Sequence, residues 1–371
     1  CPNCRGPKLA VASLDRLPVG AHCNTCNIDY GRDFARNVEI TFRPSSAIRR
    51  IEDGEFCLFG PMTTPHVVVQ QTLAPGETRE LPARLAPGDY RLRGLHPGGE
   101  ALIRWDGGGF PELVVEADGV RAGPPSSEGA AAEGIVRLVN RSSREVTVVI
   151  ESREWVRDAL TAHRATTLQT FRELFSDEVL RAGDEVGVRH VTLIFTDLRG
   201  STALYERIGD AAAYRLVRSH FAYLAAAVRR HDGAIVKTIG DAVMAAFAEP
   251  ADAFRAALDV QRNVARFNSE QAGAAGAIAI KLGLHGGSCI AVTLNGRLDY
   301  FGSTVNLAAR LQDQSRGGDI VISQALAEDG GVKAAMDGVP VAAETATVKG
   351  MAHPVAILRI TPEVGAEGVS A

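Results

Sequence analysis

Asp197 closes the run Val191-Thr-Leu-Ile-Phe-Thr196, and Asp241 closes Lys237-Thr-Ile-Gly-Asp241. The first run is apolar and β-branched, so it reads as a buried strand that delivers a carboxylate to its end. Arg199-Gly-Ser-Thr202 follows as a turn and a helix start. Asp241 sits in a glycine-containing turn between two strand-like runs, 234–239 and 242–247. Two carboxylates at strand ends suit a pair of divalent ions and phosphoryl chemistry. On that reading the chain is an enzyme acting on a nucleoside triphosphate. Further polar residues follow in order. Lys237 lies four residues before Asp241, Asp299 lies in Leu298-Asp-Tyr-Phe-Gly302, and Asn306 and Arg310 lie in Val305-Asn-Leu-Ala-Ala-Arg310. Residues four apart on a helix share a face, so Asn306 and Arg310 project together, while Leu307 and Leu311 form an apolar face for the sheet. An amide beside a guanidinium suits a ribose and a phosphate oxygen.

Each residue alone has a plainer role. Asp197 suits a helix N-cap. Lys237 and Asp241 suit a surface ion pair across a turn, which contributes little. Asp299 suits an ordinary turn, and Asn306 with Arg310 a solvated helix face. Their joint order on matching elements carries the functional reading.

The elements that position them begin near His190. Helices are expected at about 203–208, 211–231, 251–267 and 305–314, with strands at 234–239, 242–247, 278–284, 288–292, 320–322 and 355–360. His231-Asp-Gly233 reads as a helix stop, with Gly233 in the left-handed conformation. Helices and hairpins interleave, which predicts an α+β sandwich rather than a doubly wound sheet. Upstream, residues 155–182 carry apolar side chains at three- and four-residue spacing, which predicts an amphipathic helical connector. It suits either a dimerising connector or a helix packed on its own domain.

Residues 36–154 hold short strand-like runs at 38–42, 90–93, 101–105, 112–116, 135–139 and 146–150, broken by Pro and Gly. Such spacing predicts a β-sandwich or barrel. The loop at 123–129 is expected to be mobile, and Pro61-Met-Thr-Thr-Pro-His66 reads as a Pro-built turn. Of six cysteines, four form Cys1-Pro-Asn-Cys4 and Cys23-Asn-Thr-Cys26, the spacing of a zinc ribbon. Four thiolates would complete a closed, structural Zn²⁺ site. Disulfides fit a cytosolic chain less well. His22 is a solvent-facing loop residue or a substitute ligand, and Cys57 and Cys289 read as buried thiols.

The 371 residues suffice for two or three domains. A net charge of -4 and few interleaved aromatics argue against a nucleic-acid binder led by the zinc ribbon. No apolar run is long enough to cross a bilayer and no signal peptide opens the chain, so a cytoplasmic protein is expected. Its first residue is Cys1, so further residues are expected upstream.

Residues 190 to about 360 resemble a class III adenylate/guanylate cyclase catalytic domain. The motifs that carry the resemblance stand in order: strand-Asp197 followed by Gly-Ser-Thr, Lys237-x-x-Gly-Asp241, Asp299, then Asn306 and Arg310, with Lys349-Gly-Met-Ala-His-Pro-Val355 as a closing hairpin. The resemblance implies a ferredoxin-like α+β sandwich over 187–362, preceded by a zinc ribbon (1–35), a β-sandwich-like domain (36–154) and a helical connector (155–186), with a flexible tail (363–371). It implies that Asp197 and Asp241 bind two Mg²⁺ or Mn²⁺ ions, that Arg310 stabilises the α-phosphate and that Asn306 orients the ribose. Backbone N–H groups of Leu198, Arg199, Gly200, Ser201 and Thr202 would cradle phosphates. Lys237 and Asp299 would read the base. A lysine donor and an aspartate acceptor match N1 and the 6-amino group of adenine and mismatch guanine in the same pose, so ATP is expected over GTP. Family members share two composite sites across a dimer, so a homodimer is implied, with an unknown regulator acting through the N-terminal region. The rival outcomes are a guanylate cyclase and a catalytically silent cyclase-like regulator.

Overall fold

A computed structural model of the chain describes residues 11–23, 28–35, 37–42, 67–83, 85–94, 100–125, 135–153, 160–271, 277–351 and 353–362, with positions 1, 9, 44–45 and 47–49. Cys4, Cys26 and Cys57, the 61–66 turn, residues 126–129, the connector's first turn and the 363–371 tail lie outside the described residues. Two compact units form. One comprises Cys1–Ala10, Gly20–Tyr30 and Thr41–Leu160, the other Val11–Val19, Gly31–Ile40 and Thr161–Ala371.

The first unit is β-rich. β1 (Gly20–Cys23) pairs with β2 (Ile28–Gly31). The next eight strands are β3 (Val67–Leu73), β4 (Thr78–Pro82), β5 (Gly88–Gly94), β6 (Glu100–Trp105), β7 (Pro111–Glu116), β8 (Gly119–Pro125), β9 (Ile135–Asn140) and β10 (Val146–Ser152). They form two four-stranded sheets, ordered β3-β10-β5-β6 and β4-β9-β7-β8. One apolar core draws on both, with Leu73, Leu92 and Ile150 from the first and Leu113, Val136 and Leu138 from the second. Tyr90, Trp105 and Phe110 close it with edge-to-face contacts of 5.5–6.3 Å between ring centroids. Residues 38–42, expected as a strand, make an isolated bridge, Glu39 to Thr161, and Val38 and Glu39 belong to the second unit, whose core buries Val38.

The second unit begins with α1 (Ala162–Thr166) and α2 (Gln169–Leu174), which replace the continuous helix expected there. Thr166 and Thr167 cause the break. Their hydroxyls bond back to carbonyls of Ala162, His163 and Arg164, and Leu168 is extended. Then come β11 (Glu185–Leu198), α3 (Ser201–Ile208), α4 (Asp210–Arg230), β12 (Gly233–Ile239), β13 (Ala242–Phe247), α5 (Pro250–Glu270), β14 (Ile280–Leu294), β15 (Arg297–Phe301), α6 (Ser303–Asp313), β16 (Ile320–Ser323), α7 (Gln324–Ala327), α8 (Gly330–Ala335), β17 (Val341–Ala346) and β18 (Val355–Ile360). The sheet runs β12-β13-β11-β14-β16-β18-β17, and β15 folds back on β14.

Alternation along β11 sends Ile194 and Leu198 to one face, where α4 and α5 cover them, and Leu193 and Phe195 to the other. The second face is sealed partly by residues distant in sequence: Leu14, Phe34 and Val38, with Ala162 and Leu180. The stop after α4 differs from expectation. Asp232 takes the positive φ of 55°, whereas Gly233 belongs to β12 and leaves room for Phe247, whose ring a Cβ would meet at 2.3 Å. Among the described residues, no helix is long and apolar enough to cross a membrane.

Candidate active site

The end of β11 sets the site. Thr196 pairs with Val243 of β13, and its Oγ1 accepts the Val243 N–H at 3.2 Å. One step further, Asp197 reaches the level of the β12–β13 turn. Ile239 pairs with Ala242, so that turn is Gly240-Asp241, with a positive φ of 63° at Gly240 alone. This is the pattern of a type II′ hairpin turn, which wants glycine first and leaves the second position free for a carboxylate. The two carboxylates feel one another. Burial and then the Asp241 charge raise the Asp197 pKa above its ordinary value, against the pull of Lys281 across the ladder and the Leu198 N–H. Asp241 Oδ2 is buried without a hydrogen-bond partner. A buried carboxylate oxygen lacking a donor, beside a second carboxylate, fits a divalent cation.

No group of three or more His, Cys, Asp or Glu side chains placed for a metal occurs among the described residues. Two carboxylates still suffice for ions that keep water and substrate phosphates in their shell, as Mg²⁺ does.

Two residues beside Asp241 were not singled out from the sequence. The Tyr205 hydroxyl on α3 is pushed up to about 12 by burial and by the Asp241 charge. His220 on α4 is fully buried with neither ring nitrogen bonded, and burial pushes it down to about 4. The signal for His220 was its place in an apolar stripe with Ala213, Leu216, Leu224 and Ala227.

The turn expected to cradle phosphates spans the end of β11 and the start of α3. The Arg199 N–H donates to Ala279 O at 2.9 Å and is committed to the sheet edge. Gly200, at φ 67°, then opens α3, whose first turn has no side-chain cap, so the N–H groups at this helix start have no side-chain acceptor.

Lys237 and Asp299 meet directly. Lys237 Nζ lies 2.6 Å from Asp299 Oδ2, and Asp299 Oδ1 accepts the Tyr300 N–H at 2.8 Å. A bulge in β12 arranges this. Ile235 pairs with Ala245 and Lys237 with Met244, leaving Val236 unpaired. Asp299 comes from β15, joined to β14 through Asn295-Gly296 with φ of 52° and 69°. That is the two-residue I′ turn that Asn-Gly favours.

Asn306 and Arg310 project from α6, both exposed, with Arg310 Nη1 3.4 Å from Asp313 Oδ2. Leu311 is buried and Leu307 packs beside it, as their spacing predicts. Gly283 and Gly287 of β14 let α6 approach. A Cβ at Gly283 would meet the Gln312 backbone N at 2.0 Å, and one at Gly287 would meet Thr304 Oγ1 at 2.8 Å. The chain thus makes three pairs: Asp197 with Asp241, Lys237 with Asp299, and Asn306 with Arg310. Among the described residues no hydrogen bond or ion pair joins one pair to another.

Residues 185–344 match the family model described as the adenylate and guanylate cyclase catalytic domain. An adenylate cyclase of Anabaena cylindrica is 31% identical over 158 residues, covering 38% of this chain and 32% of that protein. Adenylate cyclase 1 of Rhizobium meliloti is 30% identical over 167 residues, covering 40% and 25% respectively. The chain therefore spans about a third or less of the length of these curated relatives. Among solved structures, an adenylyl cyclase of P. aeruginosa is 26% identical, with a TM-score of 0.42, covering 48% of this chain and 97% of that one. A guanylyl cyclase is also 26% identical, with a TM-score of 0.42, covering 50% and 96%. It is over residues 185–344 that this chain is similar to the adenylate and guanylate cyclase catalytic domain.

Proposed function

We propose that the chain is an adenylate cyclase that converts ATP into 3′,5′-cyclic AMP and pyrophosphate. The observation that carries the choice of base is the Lys237–Asp299 pair, a donor beside an acceptor at 2.6 Å. Adenine presents the complementary acceptor N1 and donor 6-amino group. Guanine presents the opposite pattern at those two positions and would leave both side chains unmatched.

Asp197 and Asp241 would hold two Mg²⁺ or Mn²⁺ ions, which supply a lowered pKa at the ribose 3′-hydroxyl and charge neutralisation at the phosphates. The hydroxyl passes its proton to solvent water and its oxygen attacks the α-phosphorus. The α–β phosphoanhydride bond breaks, and pyrophosphate leaves with that electron pair. Arg310 stabilises the charge that gathers on the α-phosphate, and Asn306 orients the ribose. Gly200, Ser201 and Thr202 at the start of α3 hold the remaining phosphates. The three pairs are completed in a homodimer, the carboxylates of one protomer facing the Lys, Asp, Asn and Arg of the other. We further take Cys1, Cys4, Cys23 and Cys26 as a structural Zn²⁺ site, measurable as one zinc per chain by elemental analysis. A cytoplasmic location is part of the proposal, supported by the proposed zinc thiolates and the need for ATP, as is a regulator acting on the N-terminal unit.

The test is turnover by purified full-length chain with Mn²⁺ and either ATP or GTP, cyclic product being identified by mass. Cyclic AMP should dominate. No cyclic nucleotide above a metal-free control would leave a silent regulatory domain as the reading, and faster cyclic GMP formation would overturn the choice of base.

A further inference from the structure

The edges of the two base-reading strands are held by a helix outside the matched catalytic region. β12 is the edge strand of the large sheet, and the β12 bulge leaves its backbone only partly engaged by β13. Gln169 of α2 fills part of that gap, its Oε1 accepting the Ile235 N–H at 2.7 Å. Ile235 lies two residues before Lys237 and immediately before the bulged Val236. Three residues further along α2, Arg172 reaches the other strand. Its Nη1 donates to Leu298 O at 2.8 Å, and its guanidinium carbon stands 5.6 Å from the centroid of the Tyr300 ring. Leu298 and Tyr300 flank Asp299. The Arg172 Nε is anchored in turn on Thr166 O at 2.6 Å, at the end of α1.

One turn of helix therefore grips both strands, one residue on each side of the Lys237–Asp299 contact. The grip is polar and thin. A cavity of about 320 Å³ lies beside it, lined among others by Phe171, Phe175, Val236 and Leu298, so packing does not duplicate the two bonds. Arg172 Nη2 is buried without a hydrogen-bond partner, and the Tyr300 ring face is the group the guanidinium stands over.

We infer that Gln169 and Arg172 are positioning residues for nucleobase recognition, with α2 bracing β12 against β15 so that Lys237 and Asp299 present donor and acceptor at a fixed spacing. This rests on the adenylate cyclase reading. Base selection depends on two contacts being made together, so a shift of either strand relaxes selectivity before it removes catalysis. Asp197 lies at the end of β11, and Asp241 lies in the β12–β13 turn four residues beyond Lys237, so the Mn²⁺ readout reports whether the carboxylate pair keeps its place.

The experiment measures binding of 3′-deoxy-ATP and 3′-deoxy-GTP, which lack the attacking hydroxyl, by calorimetry on the full chain with Mn²⁺. It is paired with kcat and KM for ATP and GTP. Gln169→Leu removes the acceptor at similar size, and Gln169→Glu restores one. Arg172→Met removes the guanidinium. The expected result is a fall of at least tenfold in the ATP-over-GTP ratio for Gln169→Leu and Arg172→Met. It should appear mainly in KM and in the deoxynucleotide Kd, with the Mn²⁺-induced rise in melting temperature retained and partial recovery in Gln169→Glu. If Arg172→Met does not fold, Gln169→Leu alone carries the test. Wild-type discrimination retained within twofold by a folded Gln169→Leu chain overturns the bracing role and leaves the cyclase reading intact. A wild-type chain that neither turns over nor binds either deoxynucleotide overturns the cyclase reading, and this inference with it.

Discussion

Gly283→Ala tests whether α6 is seated as closely on the sheet as its catalytic assignment requires. Gly283 is held in the middle of the sheet, paired with Phe195 of β11 and Val321 of β16, so its backbone has little freedom to retreat. A Cβ there meets Gln312 N at 2.0 Å, Gln312 Cα at 2.5 Å and the Leu311 carbonyl carbon at 2.6 Å. All three are backbone atoms of α6, so no rotamer change relieves the clash. Ordinary contact begins near 3.4 Å, so the helix must move by about 1.4 Å. Asn306 and Arg310 ride on that helix. A misplacement of about 1 Å in a positioning group can cost roughly 100-fold in rate, and overpacking costs about 1–3 kcal/mol of stability. Gly283→Ala should therefore lower kcat by about two orders of magnitude while the Mn²⁺-induced stabilisation expected from the proposed Asp197–Asp241 metal pair persists. Gly286→Ala is the control. The atoms nearest its Cβ would be side-chain atoms of Thr192, Leu326 and His190 at 3.1–3.3 Å, which can give way, so it should retain most activity. A Gly283→Ala protein with wild-type turnover would refute the claim that the seat of α6 sets catalysis.

Further outcomes follow from other parts of the unit. Asp241→Asn should abolish both turnover and the divalent-cation shift in melting temperature, which for wild type is worth about 2.7 kcal/mol at 100 times Kd. A full shift in the variant would remove Asp241 from the metal pair. Mixing Asp197→Ala with Arg310→Ala protein should restore about a quarter of wild-type activity, because half the dimers then hold one complete site. Silence despite demonstrated heterodimers would refute the shared-site arrangement. His163, pushed down to about 4 by burial and then by His190, is neutral in the folded chain where the unfolded chain is already protonated. Stability should accordingly fall as pH drops from 6.5 towards 4, by at most about 3 kcal/mol from this group. Chemical denaturation of His163→Phe should show a flatter profile over that window, and identical slopes would remove the residue from the effect.

Legibility in the sequence followed locality. The strand ending in Asp197, the glycine turn before it closes on Asp241, and the Asn306–Arg310 spacing are local patterns, and the structure places each on the expected kind of element. The Asn295-Gly296 hairpin was equally local and would have shown that Asp299 lies on a strand that folds back. The remainder depends on distant partners. The Val236 bulge exists only in the register between β12 and β13, and Gly283 matters only once α6 lies across it. Tyr205 and His220 reach Asp241 from two helices whose periodicity marks them as interior without saying what they face. The connector's apolar spacing was compatible with one helix. Two threonines preferring their own carbonyls divided it, a local competition that periodicity does not report.

The burial of Leu14, Phe34 and Val38 bears on how the catalytic domain can be handled as a separate object. Phe34 is wholly enclosed and belongs to the same core as Leu193, Phe195 and Tyr300, the inner lining behind Asp197 and Asp299. A chain cut at residue 185 retains every residue assigned to chemistry, yet loses these plugs together with Ala162 and Leu180. Emptying a site the size of Phe34 alone costs about 3–5 kcal/mol, a large share of the stability of a typical domain. A shortened chain that is inactive or aggregates would report missing filler in its core rather than lost regulation. Transplanting this domain intact means carrying along two short stretches of sequence from more than a hundred residues upstream.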